Sequence, residues 1–314
     1  MTPPAVSIII PTYNRPELLR EALDSVAAQT FRDYEVIVVD DGSTPPIADA
    51  VEDHPVRPKI IRQNRQGPGA ARNRGIAEAK AEIVAFLDSD DLWMPTKLER
   101  FVGALRDNPA VSIFYGPMTP IDASRQEVSG RTKPRHSGRI TEALFNSCFV
   151  DVPTVVCRKN VLKRAGGFDA TLPVCEDYDL WLRVSLTEPF GLIEEPLAKR
   201  RLHDDRLSKS TMGRNFAIRA QTLLRFYENN KRSGALSEGT AHPRLARAFF
   251  VAGRAALREG DYSQAIDMFR TSRSFRRGAL RPLMLQIAAS ACFRFAGPSP
   301  KPELAAAPAP LLDK

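Results

Sequence analysis

The chain has 314 residues, 45 Lys+Arg against 37 Asp+Glu, a formal charge of +8 and 43% hydrophobic residues. These globular values exclude a wholly disordered chain, and the length suits one large domain or two smaller ones. Cys148, Cys157, Cys175 and Cys292 form no C-x-x-C pair, which argues against a disulfide scaffold or zinc ribbon and for reduced thiols in a cytosolic protein.

The start of the chain has no basic leader pattern, and the apolar run at 6–10 is strand-length. The pattern predicts a buried strand at 6–10. A helix follows at 16–28, with Leu18, Leu19, Ala22, Leu23 and Val26 on one face. Strands are expected at 35–39, at Ile60-Ile61, at 83–87 and at 111–115, with helices at 69–80 and 95–106 between them. This alternation predicts an α/β domain with a mostly parallel central sheet, whose ligands sit at the carboxyl ends of its strands. Residues 116–140 are polar and basic (Arg131, Lys133, Arg135, Arg139) and read as a mobile loop. Beyond 213 the pattern is helical without strands, and 299–314, rich in Pro and Ala, reads as a loose tail. The longest apolar stretch, 282–297, is broken by Gln286 and Arg294. It falls short of the roughly 18–20 clean apolar residues of a spanning helix.

The unusual residues collect at strand ends. Asp40-Asp41-Gly42-Ser43 leaves the second strand, and Asp88-Ser89-Asp90-Asp91 leaves the strand at 83–87. Alternate residues of an extended segment point the same way, so Asp88 and Asp90 can face one ligand and hold a hard divalent cation through oxygen. Aspartates at such places also cap turns and helices. Two clusters at neighbouring strand ends favour a ligand site.

Residues 66–73 begin as G-x-G but lack the third glycine of a dinucleotide loop, and they do not follow the first strand. A helix N-terminus with Arg72 still suits a phosphate, as it suits a plain loop. Further on, Leu180, Trp181 and Val184 mark a helix face, placing Glu176 and Asp177 at that helix's N-terminus. The helix dipole explains carboxylates there, and so does a general base facing an incoming hydroxyl.

Five blocks in order resemble glycosyltransferase family 2, of the GT-A fold: Pro11-Thr12-Tyr13-Asn14, Val39-Asp40-Asp41-Gly42-Ser43, Gly69-Ala70-Ala71-Arg72-Asn73-Arg74-Gly75, Phe86-Leu87-Asp88-Ser89-Asp90-Asp91, and Gly166-Gly167-Phe168-Asp169 with 176–183. The resemblance covers about residues 4–212. It implies inverting transfer from a nucleotide-diphosphate sugar, UDP favoured, to a hydroxyl of a glycan or lipid-linked acceptor. It implies a nucleotide pocket of Pro11, Thr12, Tyr13, Arg15, Asp40, Asp41, Arg72, Asp88 and Ser89. It further implies Asp90 as ligand of Mn2+ or Mg2+, His203 near the metal and diphosphate, Asp177 as catalytic base and Glu176 as its helper. Trp181 is expected to pack. The domain expected at 1–212 is followed by a helical region at 213–298 and the tail at 299–314.

In the C-terminal third, Phe249, Ala252, Gly253, Ala256 and Leu257, then Gly260, Tyr262, Ala265, Phe269 and Ser272, resemble one tetratricopeptide hairpin at about 243–275. Residues 1–210 hold 28 basic and 30 acidic side chains, so the positive excess belongs to the remainder. A basic helix over 273–301 fits an anionic membrane face, placing the protein in the cytoplasm or peripherally on the membrane, and fits equally a helix packed on the hairpin with solvated arginines. Its apolar interleaving is helical rather than a stacking platform, so no nucleic acid is expected. Two other readings stay open. A nucleotidyltransferase also uses strand-end aspartates and a metal, but needs a glycine-rich loop where Pro11-Thr12-Tyr13-Asn14-Arg15 stands. The other is a non-catalytic scaffold using the helical tail.

Overall fold

The computed structural model describes residues 2–129, 134–202, 212–276 and 280–296, with only the backbone of 212 and 294–296. Two compact units share the chain: 1–211 with 221–244, and 212–220 with 245–314.

The first unit is built on a seven-stranded sheet. Its strands are β1 (Val6–Thr12), β2 (Tyr34–Asp40), β3 (Lys59–Arg62), β4 (Ile83–Phe86), β6 (Ile113–Tyr115), β8 (Val156–Arg158) and β9 (Phe190–Leu192), after numbering β5 (Leu92–Trp93), β7 (Met118–Ile121) and β10 (Ala198–Arg201) in a second, smaller sheet. The large sheet runs β3-β2-β1-β4-β8-β6-β9 and is parallel except for β8. β1 is buried along its whole length, which is why it reads as an unbroken apolar run. Thr12 pairs with Asp40, so two of the strand-end motifs share one edge of the sheet.

Helices α1 (Pro16–Ala27), α2 (Ala48–Val51), α3 (Pro68–Glu78), α4 (Lys97–Asp107), α5 (Thr141–Asn146), α6 (Lys159–Arg164) and α7 (Glu176–Ser185) complete most of this unit. α1 buries Leu19, Ala22, Leu23 and Val26 at helical spacing, and Pro16 costs it nothing at the first turn. α3 lies close on β1 because it carries glycine at 75, where a Cβ would stand 2.4 Å from Ile9 Cγ2.

Residues 116–140 are not one loop. β7 pairs parallel with β10, Gly138 bridges to Phe190, and the Tyr115 hydroxyl both donates to the His136 carbonyl and accepts from its N–H. Short strands with partners far along the chain leave no period in the sequence, so polarity alone suggested a loop.

Of the remaining helices, α8 (Met212–Asn230) and α9 (Glu238–Arg258) each run through both units. The second unit adds α10 (Tyr262–Ser274) and α11 (Leu280–Ala296). The expected hairpin is α9 with α10, and its small residues explain the close approach: a Cβ on Gly253 would stand 2.7 Å from the Phe269 ring. Ser272 Oγ bonds the Ala246 carbonyl at 2.7 Å. Among the described residues no helix is long and apolar enough to cross a membrane.

Candidate active site

The turn after β4 brings three carboxylates together. Oxygens of Asp88, Asp90 and Asp91 all lie within 4.8 Å of one another. Three like charges so close need compensation. Arg15 pairs with Asp90 at 2.5 Å, and Arg72 with Asp88 at 2.8 Å. The Arg201 backbone N–H donates to Asp91 at 3.1 Å. Burial, and then the charges of Asp90 and Asp88, push the Asp91 carboxyl well above the usual carboxylate range. The D-x-D reading singled out Asp88 and Asp90; Asp91 joins them because the chain turns at this point. All the donors are hard oxygens, a set that fits Mn2+ or Mg2+.

The residues expected on the nucleotide side stand at the C-terminal ends of the neighbouring strands. Asp40 is buried, and its carboxylate accepts from the Ser43 N–H at 2.9 Å and the Ile47 N–H at 3.4 Å. Asp41 accepts from the N–H groups of Gln66 and Gly67 and from the Gln63 amide, each at 2.8 Å. Both aspartates therefore organise backbone, Asp40 that of the loop after β2 and Asp41 that of the loop between β3 and α3. Tyr13 presents a ring with the Arg65 guanidinium 4.2 Å from its centroid. Pro11 and Ser89 are buried beside the same strand ends. Thr12 Oγ1 is buried and, among the described residues, has no hydrogen-bond partner. An orphaned hydroxyl there is a donor awaiting a ligand or water.

Arg72 ties this side to the next cluster. It stands in the first turns of α3, is buried, and binds Asp88 with one nitrogen and Glu176 with another at 2.7 Å. Burial works against its charge, but the two carboxylates more than offset that, and its pKa is raised. Asp177 follows Glu176 on the first turn of α7. Its carboxyl is pushed up to about 7, by burial first and then by the Glu176 charge, against the pull of Arg72. A carboxyl with that pKa can hold or release a proton near neutrality.

The segment that leads into α7 is tightly held. Gly166 and Gly167 take φ of +80° and +72°, and a Cβ on Gly167 would meet Asn73 Oδ1 at 2.8 Å. Asn73 brackets Phe168, accepting from its N–H at 2.9 Å and donating to its carbonyl at 2.8 Å. Arg183 donates to Asp179 and to the carbonyls of Ala165 and Gly167. Trp181 is buried against Phe168, as packing requires.

Two further residues carry no sequence signal. Asp151 precedes a short 3-10 turn (Val152–Thr154) and pairs with Arg200 of β10 at 2.7 Å. Its charge reaches Asp177, and Arg200 also feels Asp91 and Asp88. Asp151 lies in a stretch without motif or period, so only the fold could find it. His203 lies outside the described residues.

The chain matches the family description "Glycosyl transferase family 2" over residues 7–166. An uncharacterized glycosyltransferase of Rickettsia typhi is 30% identical over 219 residues, 67% of each chain. One from Rickettsia felis is 32% identical over 228 residues, 68% of this chain and 36% of that protein. One from Nostoc sp. is 34% identical over 174 residues, 52% of this chain and 54% of the relative. The chain thus spans roughly a third to two thirds of the length of these curated relatives. Among solved structures, S. aureus TarS 1–349 with UDP-GlcNAc superposes with a TM-score of 0.58 at 18% identity, covering 93% of this chain and 92% of that one. The mannosyltransferase PcManGT from Pyrobaculum calidifontis with GDP-Man and Mn2+ gives 0.58 at 20% identity, covering 94% and 81%. These two likenesses show the GT-A fold, a mostly parallel sheet with helices.

Proposed function

This chain belongs to glycosyl transferase family 2, and from that membership we propose that it moves a sugar from a nucleotide-diphosphate donor, a UDP-sugar first, to a hydroxyl of a glycan or lipid-linked acceptor, with inversion. One observation supports the reading: Arg72 bridges Asp88 of the acidic cluster to Glu176, beside Asp177, so the carboxylates proposed for the donor and acceptor sides are joined through one guanidinium. Structures of similar fold were solved with UDP-GlcNAc and with GDP-Man, which supports a donor of this class.

In the proposed mechanism Asp177 takes the proton from the acceptor hydroxyl. The oxygen attacks the anomeric carbon from the face opposite the diphosphate, and the carbon–diphosphate bond breaks. One displacement inverts the centre and needs no nucleophilic carboxylate. Glu176, held by Arg72, shapes the acceptor side. Pro11, Thr12, Tyr13, Arg15, Asp40, Asp41, Arg72, Asp88 and Ser89 line the nucleotide. Asp90, with Asp88 and Asp91, would hold Mn2+ or Mg2+, whose charge offsets that building on the leaving diphosphate. A lipid-linked acceptor would make this a cell-envelope polysaccharide enzyme working at the cytoplasmic membrane face.

The test is a panel of nucleotide sugars with Mn2+, scored by release of free nucleoside diphosphate. Release with one donor, lost in Asp90→Asn, is expected. Formation of pyrophosphate from a nucleoside triphosphate and a sugar phosphate would overturn the reading in favour of nucleotidyl transfer.

A further inference from the structure

Helix α11 is apolar on two faces. On one, Ala289 is buried with Ala256, Ala265 and Phe269, and Leu285 packs against them. At helical spacing Leu280, Met284, Ile287, Ala288 and Ala291 fall together on another. Leu280 is 72% exposed, Met284 68% and Ile287 61%, and Ala288 and Ala291 are exposed too. At 1.5 Å per residue this stripe is about 16 Å long. A surface helix of a soluble domain ordinarily turns polar residues that way.

Charge decides which partner fits. Residues 268–302 contain no Asp or Glu, against Arg270, Arg273, Arg276, Arg277, Arg281, Arg294 and Lys301. Arg276 and Arg281 are exposed, and helical spacing puts Arg281 at the edge of the stripe. A second copy docked on the stripe would set these like charges against each other. An anionic lipid surface offers hydrocarbon to the stripe and phosphate to its rim.

We propose that α11 lies in the plane of an anionic membrane, with Leu280, Met284 and Ile287 below the headgroups and Arg276 and Arg281 on the phosphates. α11 is not long and apolar enough to cross the bilayer, so the contact is peripheral. The contact stands apart from the proposed reaction; only its use, bringing the crevice to a lipid-linked acceptor, rests on that reading.

The test is flotation of the full chain, without nucleotide, with vesicles of phosphatidylcholine alone or mixed with phosphatidylglycerol. Binding to the anionic vesicles at least about tenfold stronger is expected, because each basic residue near such a surface adds roughly fivefold and Arg276 and Arg281 together exceed tenfold. Leu280→Ser with Met284→Ser and Ile287→Ser should lower it at least about tenfold, since the apolar area drives insertion. These side chains are exposed, so an unchanged circular dichroism melt is expected. A second variant, Arg276→Gln with Arg281→Gln, should weaken binding and flatten its salt dependence. Equal flotation of parent and triple variant, or equal binding to both vesicle types, overturns the proposal. So does a dimer, seen by light scattering, that the triple variant dissolves while no vesicle binding is found. Failure of the transferase reading would look different: vesicle binding intact, with no nucleoside diphosphate released in a parallel assay with a water-soluble acceptor.

Discussion

At the scale of single residues, the proposed chemistry concentrates on Asp177. Its carboxyl titrates at about 7 rather than the ordinary 3.8, because burial and Glu176 outweigh Arg72. Two consequences follow with opposite signs. Proton abstraction needs the carboxylate, so transfer should rise with pH through about 7 and then level. The folded state holds this proton more tightly than the unfolded chain does. The stabilisation is therefore full below the ordinary pKa of 3.8 and is lost as pH rises through about 7. Asp177→Asn removes the ionisation. It should melt no lower than the parent above neutrality, bind donor normally by calorimetry, and lose roughly 10²–10⁴-fold in transfer. Near-native transfer by this variant would sink the base assignment. Glu176 and Asp177 were visible in the sequence as acids at a helix start. The fold adds why one of them ionises late: the partner carboxylate beside it and the loss of water around it.

At the scale of elements, α3 positions Arg72, and its seat on β1 depends on Gly75. A methyl there would stand 2.4 Å from Ile9 Cγ2, so the helix must move outward. Gly75→Ala should cost about 1–3 kcal/mol by overpacking, read from the urea midpoint. It should also weaken donor binding, because Arg72 lies one turn earlier on the helix that shifts. Ile9→Ala removes a fully buried side chain and costs stability itself, but the double variant should lose less than the sum of the two single losses, and that coupling separates a steric seat from loss of a flexible residue. If the two substitutions simply add, Gly75 is not the seat. The long helices and β1, β2 and β4 were legible because each carries its period or its unbroken apolar run. β5, β8, β9 and β10 were not, having two to four residues each and partners far along the chain. Lys97 shows the same limit on a side chain. It is fully buried, donates to the Thr154 carbonyl at 3.0 Å, and lies 4.0 Å from the Phe101 ring centroid. Hydropathy would leave it in water.

At the scale of the molecule, the sequence shows where strands stop, near residue 212, but not where packing changes hands. Residues 221–244 belong with the first unit. Arg225 of α8 pairs with Asp169 at 2.9 Å and Asp179 at 2.8 Å, gripping both motifs behind the proposed base. The rings of Phe226 and Phe145 pack at a tilt with centroids 6.0 Å apart, and Arg244 donates to the Phe145 carbonyl at 3.1 Å. Such contacts depend on distant residues, so no local period announces them. Most of the positive excess of the chain lies beyond them, in the acid-free segment 268–302. If the units are cooperative blocks, damage to one should stop inside α9. Phe269 is fully buried in the second unit, and Phe269→Ala should cost that unit about 3–5 kcal/mol. Hydrogen exchange on the full chain should then show lost protection over 246–274. Peptides from 221–244 should keep theirs, together with those of β1. Equal loss over 221–244 would mean that α8 and the start of α9 draw their stability from the hairpin. The grip of Arg225 on Asp169 and Asp179 would then be a consequence of the helical region rather than part of the catalytic unit.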